Sequence, residues 1–83
     1  MTDTNKTQEK DIQIIKVEIS NSLLTAHLSD ERIISIPIKR FARLTKAIET
    51  NNFELTQNFT ISPSGYGIHW PLLDEDISIK SFL

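Results

Sequence analysis

The chain has 83 residues, no cysteine and a formal net charge of −2, with 39 % hydrophobic and 24 % charged side chains. That length holds one domain, the lack of cysteine excludes disulfide staples and thiolate metal sites, and the near-balanced charge gives no global pull toward nucleic acid or membrane. Its apolar runs are too short to cross a bilayer and its N-terminus lacks the apolar stretch of a secretory signal, so a cytoplasmic location is expected.

Residues 1–11 (MTDTNKTQEKD) carry no apolar side chain after Met1. Nothing there offsets the entropy of ordering, so a disordered polar tail is expected, followed by a single α+β domain over 12–83. A core of roughly seventy residues supplies only a few kcal/mol, which makes a homodimer an option on size alone.

In residues 12–20, Ile15, Val17 and Ile19 alternate with polar neighbours, while Ile12 and Ile14 have the opposite parity. The segment reads as a strand that begins either with both faces covered or with a bulge that shifts the phase. Asn21-Ser22 is a turn signal, and Leu24, Ala26 and Leu28 share one face of a second strand. Ser29-Asp30-Glu31 is another turn, after which Ile34, Ile36 and Ile38 alternate with Ile33, Ser35 and Pro37. Three short strands joined by tight turns predict an antiparallel meander, which Pro37 ends or places at an edge.

The period then lengthens. Phe41, Leu44 and Ile48 recur at steps of three and four, predicting a helix over 39–49 that buries those residues and turns Lys39, Arg40, Arg43 and Lys46 away from the core. Asn51 followed by Glu54 has the spacing of an N-cap and its partner, so a short second helix is expected through about Gln57 with Phe53 inward. A strand over 58–62 comes next, with Phe59 and Ile61 on one face, then a Pro63-Ser64-Gly65 turn. The returning strand places Tyr66, Ile68 and Trp70 opposite Gly67 and His69 until Pro71 stops it. Residues 72–76 read as a loop, Ile77 and Ile79 as a short last strand, and Phe82 and Leu83 as a docked end.

The segment Gly65-Tyr66-Gly67-Ile68-His69-Trp70-Pro71, followed by Leu73-Asp74-Glu75-Asp76-Ile77-Ser78, resembles the bacterial domain of unknown function 2442 family. The resemblance extends upstream through Leu28-Ser29-Asp30, Arg32-Ile33-Ile34-Ser35-Ile36-Pro37 and Phe41-Ala42-Arg43-Leu44, and covers about residues 15–83. It implies a small α+β fold of bacterial origin. Members of the family look like stand-alone small proteins, like domains ahead of a helix-turn-helix, or like partners in toxin–antitoxin-type pairs; no helix-turn-helix is expected after Leu83. Where the family has Asp-Gly, this chain has Asp30-Glu31. Because Glu avoids positive φ, a turn longer than the two-residue type I′ form is expected. Ala42 replaces a frequent Pro, which leaves the helix start open.

The residues able to do chemistry each have a plainer explanation. His69 with Asp74, Asp76, Ser62, Ser64 and Tyr66 supplies the ingredients of acid–base or nucleophilic catalysis, yet no nucleophile-elbow pattern accompanies them. The plainer reading of His69 is an outward strand residue. Asp74, Glu75 and Asp76 are consecutive, so in extended chain they diverge rather than converge on one ion, and His27 and His69 sit on different strands. Gly65 and Gly67, the two glycines, fall short of any phosphate loop; Gly65 suits a turn with positive φ, and Gly67 a close approach to the sheet. Lys39, Arg40, Arg43 and Lys46 are four of nine basic residues, a stripe that suits phosphates, an acidic partner, or simply solvent.

No catalytic, cofactor-binding or metal-ligating residue is therefore expected. The leading expectation is a non-catalytic interaction domain, antitoxin-like or an adaptor, that binds another protein. Its partner-binding candidates are Lys39, Arg40, Arg43, Lys46, Gly67, His69, Asp74, Glu75 and Asp76. A nucleic-acid-associated regulator using the basic helix ranks second, and an enzyme centred on His69 and the acidic loop ranks third.

Overall fold

A computed structural model describes residues 12–20 and 22–83; the expected polar tail over 1–11 and Asn21 of the first turn lie outside the described residues. The fold is α+β, with two three-stranded antiparallel sheets separated by short helices.

Strands β1 (Ile14–Ser20), β2 (Leu23–Leu28) and β3 (Ile33–Pro37) form the expected meander in the order β1-β2-β3. Val17 and Ile19 lie opposite Ala26 and Leu24, and those two lie opposite Ile34 and Ile36, so one face is continuously aliphatic. The parity conflict at the start of β1 is resolved by a bulge between Ile14 and Lys16. The extra residue lets Ile14 and Val17, three apart, share the buried face, while Ile15 is expelled to 62 % exposure.

The β2–β3 connection is the longer type I turn. Glu31 N–H donates to Leu28 O (3.0 Å), and Leu28 N–H donates to Arg32 O (2.8 Å). Glu31 nonetheless takes the left-handed position that closes such a loop, with φ 75°. The Asp30 carboxylate braces the far side by accepting from Arg32 N–H (3.2 Å) and Nε–H (2.7 Å).

The helix expected over 39–49 is shorter than its periodicity suggests. Ile38 is buried, its N–H donates to Ser22 O (2.8 Å), and residues Ile38–Arg40 form a 3₁₀ turn. Phe41 is then extended (φ −121°, ψ 105°), and α1 runs over Ala42–Glu49, which puts Ala42 in the first helical position. Lys39 and Arg40 therefore precede the helix. Leu44 and Ala47 are its buried residues, with Phe41 and Ile48 packed at the margin of the core.

Asn51 does not cap a second helix; it ends the first. Asn52 N–H donates to Ala47 O (2.8 Å) and Asn51 N–H to Ile48 O (3.1 Å), with Asn51 at φ 61°. This is a Schellman closure with Asn where Gly is commoner. Helix α2 (Phe53–Gln57) follows Asn52 and has no side-chain cap. Its inward residue is Thr56, fully buried, rather than Phe53, which is 49 % exposed. Thr56 tolerates burial because its hydroxyl donates to Phe53 O (2.6 Å).

Strands β4 (Thr60–Ile61), β5 (Gly67–Trp70) and β6 (Glu75–Ser78) form the second sheet in the order β4-β5-β6. The strand expected over 58–62 pairs at only two residues, because Phe59 leaves the ladder to pack its ring 5.7 Å from that of Trp70. The loop expected over 72–76 is also shorter. Asp74 at φ 52° closes it, and Glu75 and Asp76 already belong to β6, opposite Trp70 and His69. Ile79 lies beyond the strand, in a 3₁₀ turn over Ile79–Phe82 that Ser78 Oγ caps by accepting from Lys80 N–H (3.0 Å). Phe82 is buried, whereas Leu83 is 40 % exposed and does not dock.

The sheets are joined by Ile14 N–H donating to Gly65 O (2.7 Å). Gly65 has φ 72°, and a Cβ there would sit 2.5 Å from Gln13 Cβ, so backbone conformation and close approach both demand glycine. Leu24, Leu28, Leu44, Ile68, Trp70 and Ile79 form the centre of one shared core. Among the described residues, no helix is long and apolar enough to cross a membrane.

Candidate functional site

The basic stripe read from sequence is divided by the break at Phe41. Arg43 and Lys46 line one groove, together with Ala47, Thr50, Asn52, Leu55 and Leu73, in a space of about 240 Å³ between α1, α2 and the β5–β6 loop. Lys39 lines a different depression, with Ser22, Ile38, Thr45, Ile48 and Glu49. Arg40 is exposed on the intervening 3₁₀ turn. The four cations do not form one continuous face.

Arg43 is also committed within the chain. Its Nη1 donates to Asp74 O (2.9 Å) and lies 3.7 Å from Glu75 Oε1. The sequence allowed the basic stripe to meet an acidic partner; the fold brings Arg43 to the acidic triplet of its own chain. The three acids then separate. Asp74 turns the loop, Glu75 faces Arg43, and Asp76 faces His69. Among the described residues, no three His, Cys, Asp or Glu side chains are grouped to hold a metal ion.

His69 and Asp76 are cross-strand neighbours, and Nδ1 of the imidazole is 2.6 Å from Asp76 Oδ1. This Asp–His contact lies on the exposed face of β5. The pair flanks an open depression of about 200 Å³ over Gly67, bordered by Thr60, Ser62 and Ser78. Two of the three hydroxyls there are engaged with backbone. Ser62 Oγ accepts from Tyr66 N–H (3.1 Å) and Gly67 N–H (3.2 Å), and Ser78 Oγ accepts from Lys80 N–H. A nucleophile needs a base at its hydroxyl, and these two hydroxyls serve the turns instead. Gly67 gives the depression its floor; a Cβ there would lie 3.3 Å from Ile77 O.

A second histidine–carboxylate pair lies on the outer face of the first sheet, where His27 Nε2 is 3.0 Å from Glu18 Oε1. The hydrogen bond from His27, and next the charge of Lys16, hold the Glu18 carboxyl below its usual range. Desolvation pushes Asp30 up, but the backbone and side-chain hydrogen bonds of Arg32 and its charge outweigh it, and Asp30 also lies below its usual range.

Reasoning from sequence missed the apolar floor of the α1–α2 groove: Ala47, Leu55 and Leu73. Ala47 was legible as a helix position beside Leu44, but Leu55 and Leu73 come from a five-residue helix and a loop, where no period marks a shared face.

The fold defines a small two-sheet α+β domain with open surface recesses. The chain belongs to the family described as protein of unknown function (DUF2442), whose model matches residues 14–83. Comparison with curated proteins and with solved structures gives no match.

Proposed function

We propose that the chain is a non-catalytic interaction domain of the bacterial cytoplasm that acts by binding another protein, in the manner of an adaptor or an antitoxin. The observation that carries this reading is the groove between α1, α2 and the β5–β6 loop, an apolar floor under an exposed cationic rim. Apolar floors with polar rims suit protein contacts. The reading is further supported by the side chains of greatest chemical capability, which are paired in the open: His69 with Asp76, and Arg43 with its loop.

The test is affinity capture from a bacterial lysate with the tagged protein, with and without nuclease. One stoichiometric protein that survives nuclease supports the reading. Nucleic acid, or proteins lost on nuclease treatment, would instead place Lys39, Arg40, Arg43 and Lys46 on phosphates. A turnover activity abolished by His69→Ala would replace the reading with an enzyme built on the His69–Asp76 pair.

A further inference from the structure

Resting on the interaction-domain reading, we infer that the α1–α2 groove docks a segment of another protein that presents one aliphatic or aromatic side chain next to a carboxylate.

The frame of the groove is held from both sides. The Schellman closure fixes Asn51 and Asn52 at the end of α1. Arg43, by holding the carbonyl of the left-handed Asp74, fixes the loop that delivers Leu73. A preorganised recess loses little on binding. Its volume of about 240 Å³ exceeds the roughly 150 Å³ that accommodates a benzene ring, so one Leu- or Phe-sized side chain fits over Ala47 and Leu55.

The charge of the rim selects what accompanies that side chain. Arg43 and Lys46 line the groove with no carboxylate among the lining residues, and Glu75, which already faces Arg43, is only 17 % exposed. Among the described residues, no carboxylate lies within 4.0 Å of Lys46. The rim therefore has a cationic excess that an incoming carboxylate would balance. Asn52 adds a polar contact: its Nδ2 donates to Thr50 Oγ1 (3.1 Å), leaving Oδ1 to accept a backbone N–H from a bound segment.

The experiment is an NMR titration of the ¹⁵N-labelled full chain with two capped synthetic pentapeptides, one Gly-Leu-Glu-Glu-Gly and one Gly-Leu-Lys-Lys-Gly, and a control with Ser in place of Leu. The acidic peptide is expected to give saturable shifts at the amides of Ala47, Thr50, Asn52, Leu55 and Leu73. It should bind about five-fold more tightly than the basic one, since an exposed ion pair at Lys46 is exchanged for a repulsion. The Ser control should lose the shifts. Lys46→Glu, at an exposed position in the last turn of α1, should reverse the acidic-over-basic preference while lowering the melting temperature by only a few degrees. No shifts at millimolar peptide, shifts centred elsewhere, or equal binding of the two peptides would overturn the inference. If a captured protein partner binds wild type and Lys46→Glu equally, the groove assignment fails while the interaction-domain reading stands; if no partner is captured either, both fail.

Discussion

Arg43 Nη1 donates to the carbonyl oxygen of Asp74 at 2.9 Å, joining two residues 31 positions apart. The bond couples helix α1 to the loop between β5 and β6, at the one residue of that loop with a left-handed backbone. The same guanidinium lies 3.7 Å from Glu75 Oε1, so a single side chain organises the acidic end of the second sheet.

Arg43→Ala should therefore loosen the loop more than it destabilises the fold. The side chain is 60 % exposed, and an exposed pair contributes only about 0.2–1 kcal/mol. Amide exchange over residues 72–74 is expected to accelerate, with little change at Ile68 or Ile77. Exchange in that loop matching wild type would show that the turn holds itself.

Trp70 should prove the most costly core position. It is fully buried, and its Nε1–H donates to Thr56 O (2.9 Å). Trp70→Ala is expected to cost about 3–5 kcal/mol, a large share of the stability of a domain this small. Trp70→Phe keeps a ring but removes the donor, at about 1–3 kcal/mol. Urea denaturation reads both. His69→Ala, on the exposed side of the same strand, should stay within about 0.5 kcal/mol of wild type.

Much of this arrangement was legible in the sequence. Period-two alternation located β1 to β3, the parity clash at Ile12 and Ile14 left a bulge as one of two alternatives, and Ile68 and Trp70 marked the inner face of β5. The errors have a common physical source: places where tertiary contact overrides local pattern. Phe41 has helical spacing, but burial of Ile38 just before it sets the chain's exit from β3 and leaves Phe41 extended. Phe53 is the bulkier residue, yet Thr56 is the one over which the Trp70 indole reaches. The acidic triplet looks like a loop because its composition is that of a loop, and cross-strand pairing with β5 draws Glu75 and Asp76 into a strand all the same. The groove at α1–α2 was hidden because its floor is assembled from three segments.

Two single substitutions at left-handed positions should have opposite signs. Glu31 has φ 75°, a region that costs an L-residue about 1–2 kcal/mol. Glycine removes that cost and loses some back through unfolded-chain entropy, so Glu31→Gly should stabilise by about 0.5–1 kcal/mol. Gly65→Ala meets both the backbone cost and Gln13 Cβ at 2.5 Å, and should destabilise by about 2–4 kcal/mol. Thermal melts of the two variants, run together, check both signs.

The Glu18 carboxyl gives stability a defined acid limb. Its folded pKa lies below the ordinary value, so its pairing with His27 and Lys16 is fully present above the ordinary carboxylate range and is lost as pH falls through the depressed value. The denaturant midpoint should fall with decreasing pH in that region, and Glu18→Gln should flatten part of the slope. Asp30 acts in the same direction, so some acid sensitivity should persist in the variant. An identical slope in wild type and Glu18→Gln would rule out the contribution of the pair.

The chain contains a single tryptophan, and the fold places it where α2, Phe59 and the second sheet meet. The tryptophan fluorescence of the protein is thus the signal of one seam. A sealed indole bonded to a backbone carbonyl emits from a dry, fixed environment, and any movement of α2 away from β5 would admit water and shift the emission to longer wavelength. Since α2 also forms one bank of the groove, a shift of the Trp70 emission during the peptide titration would report movement of α2 without a label.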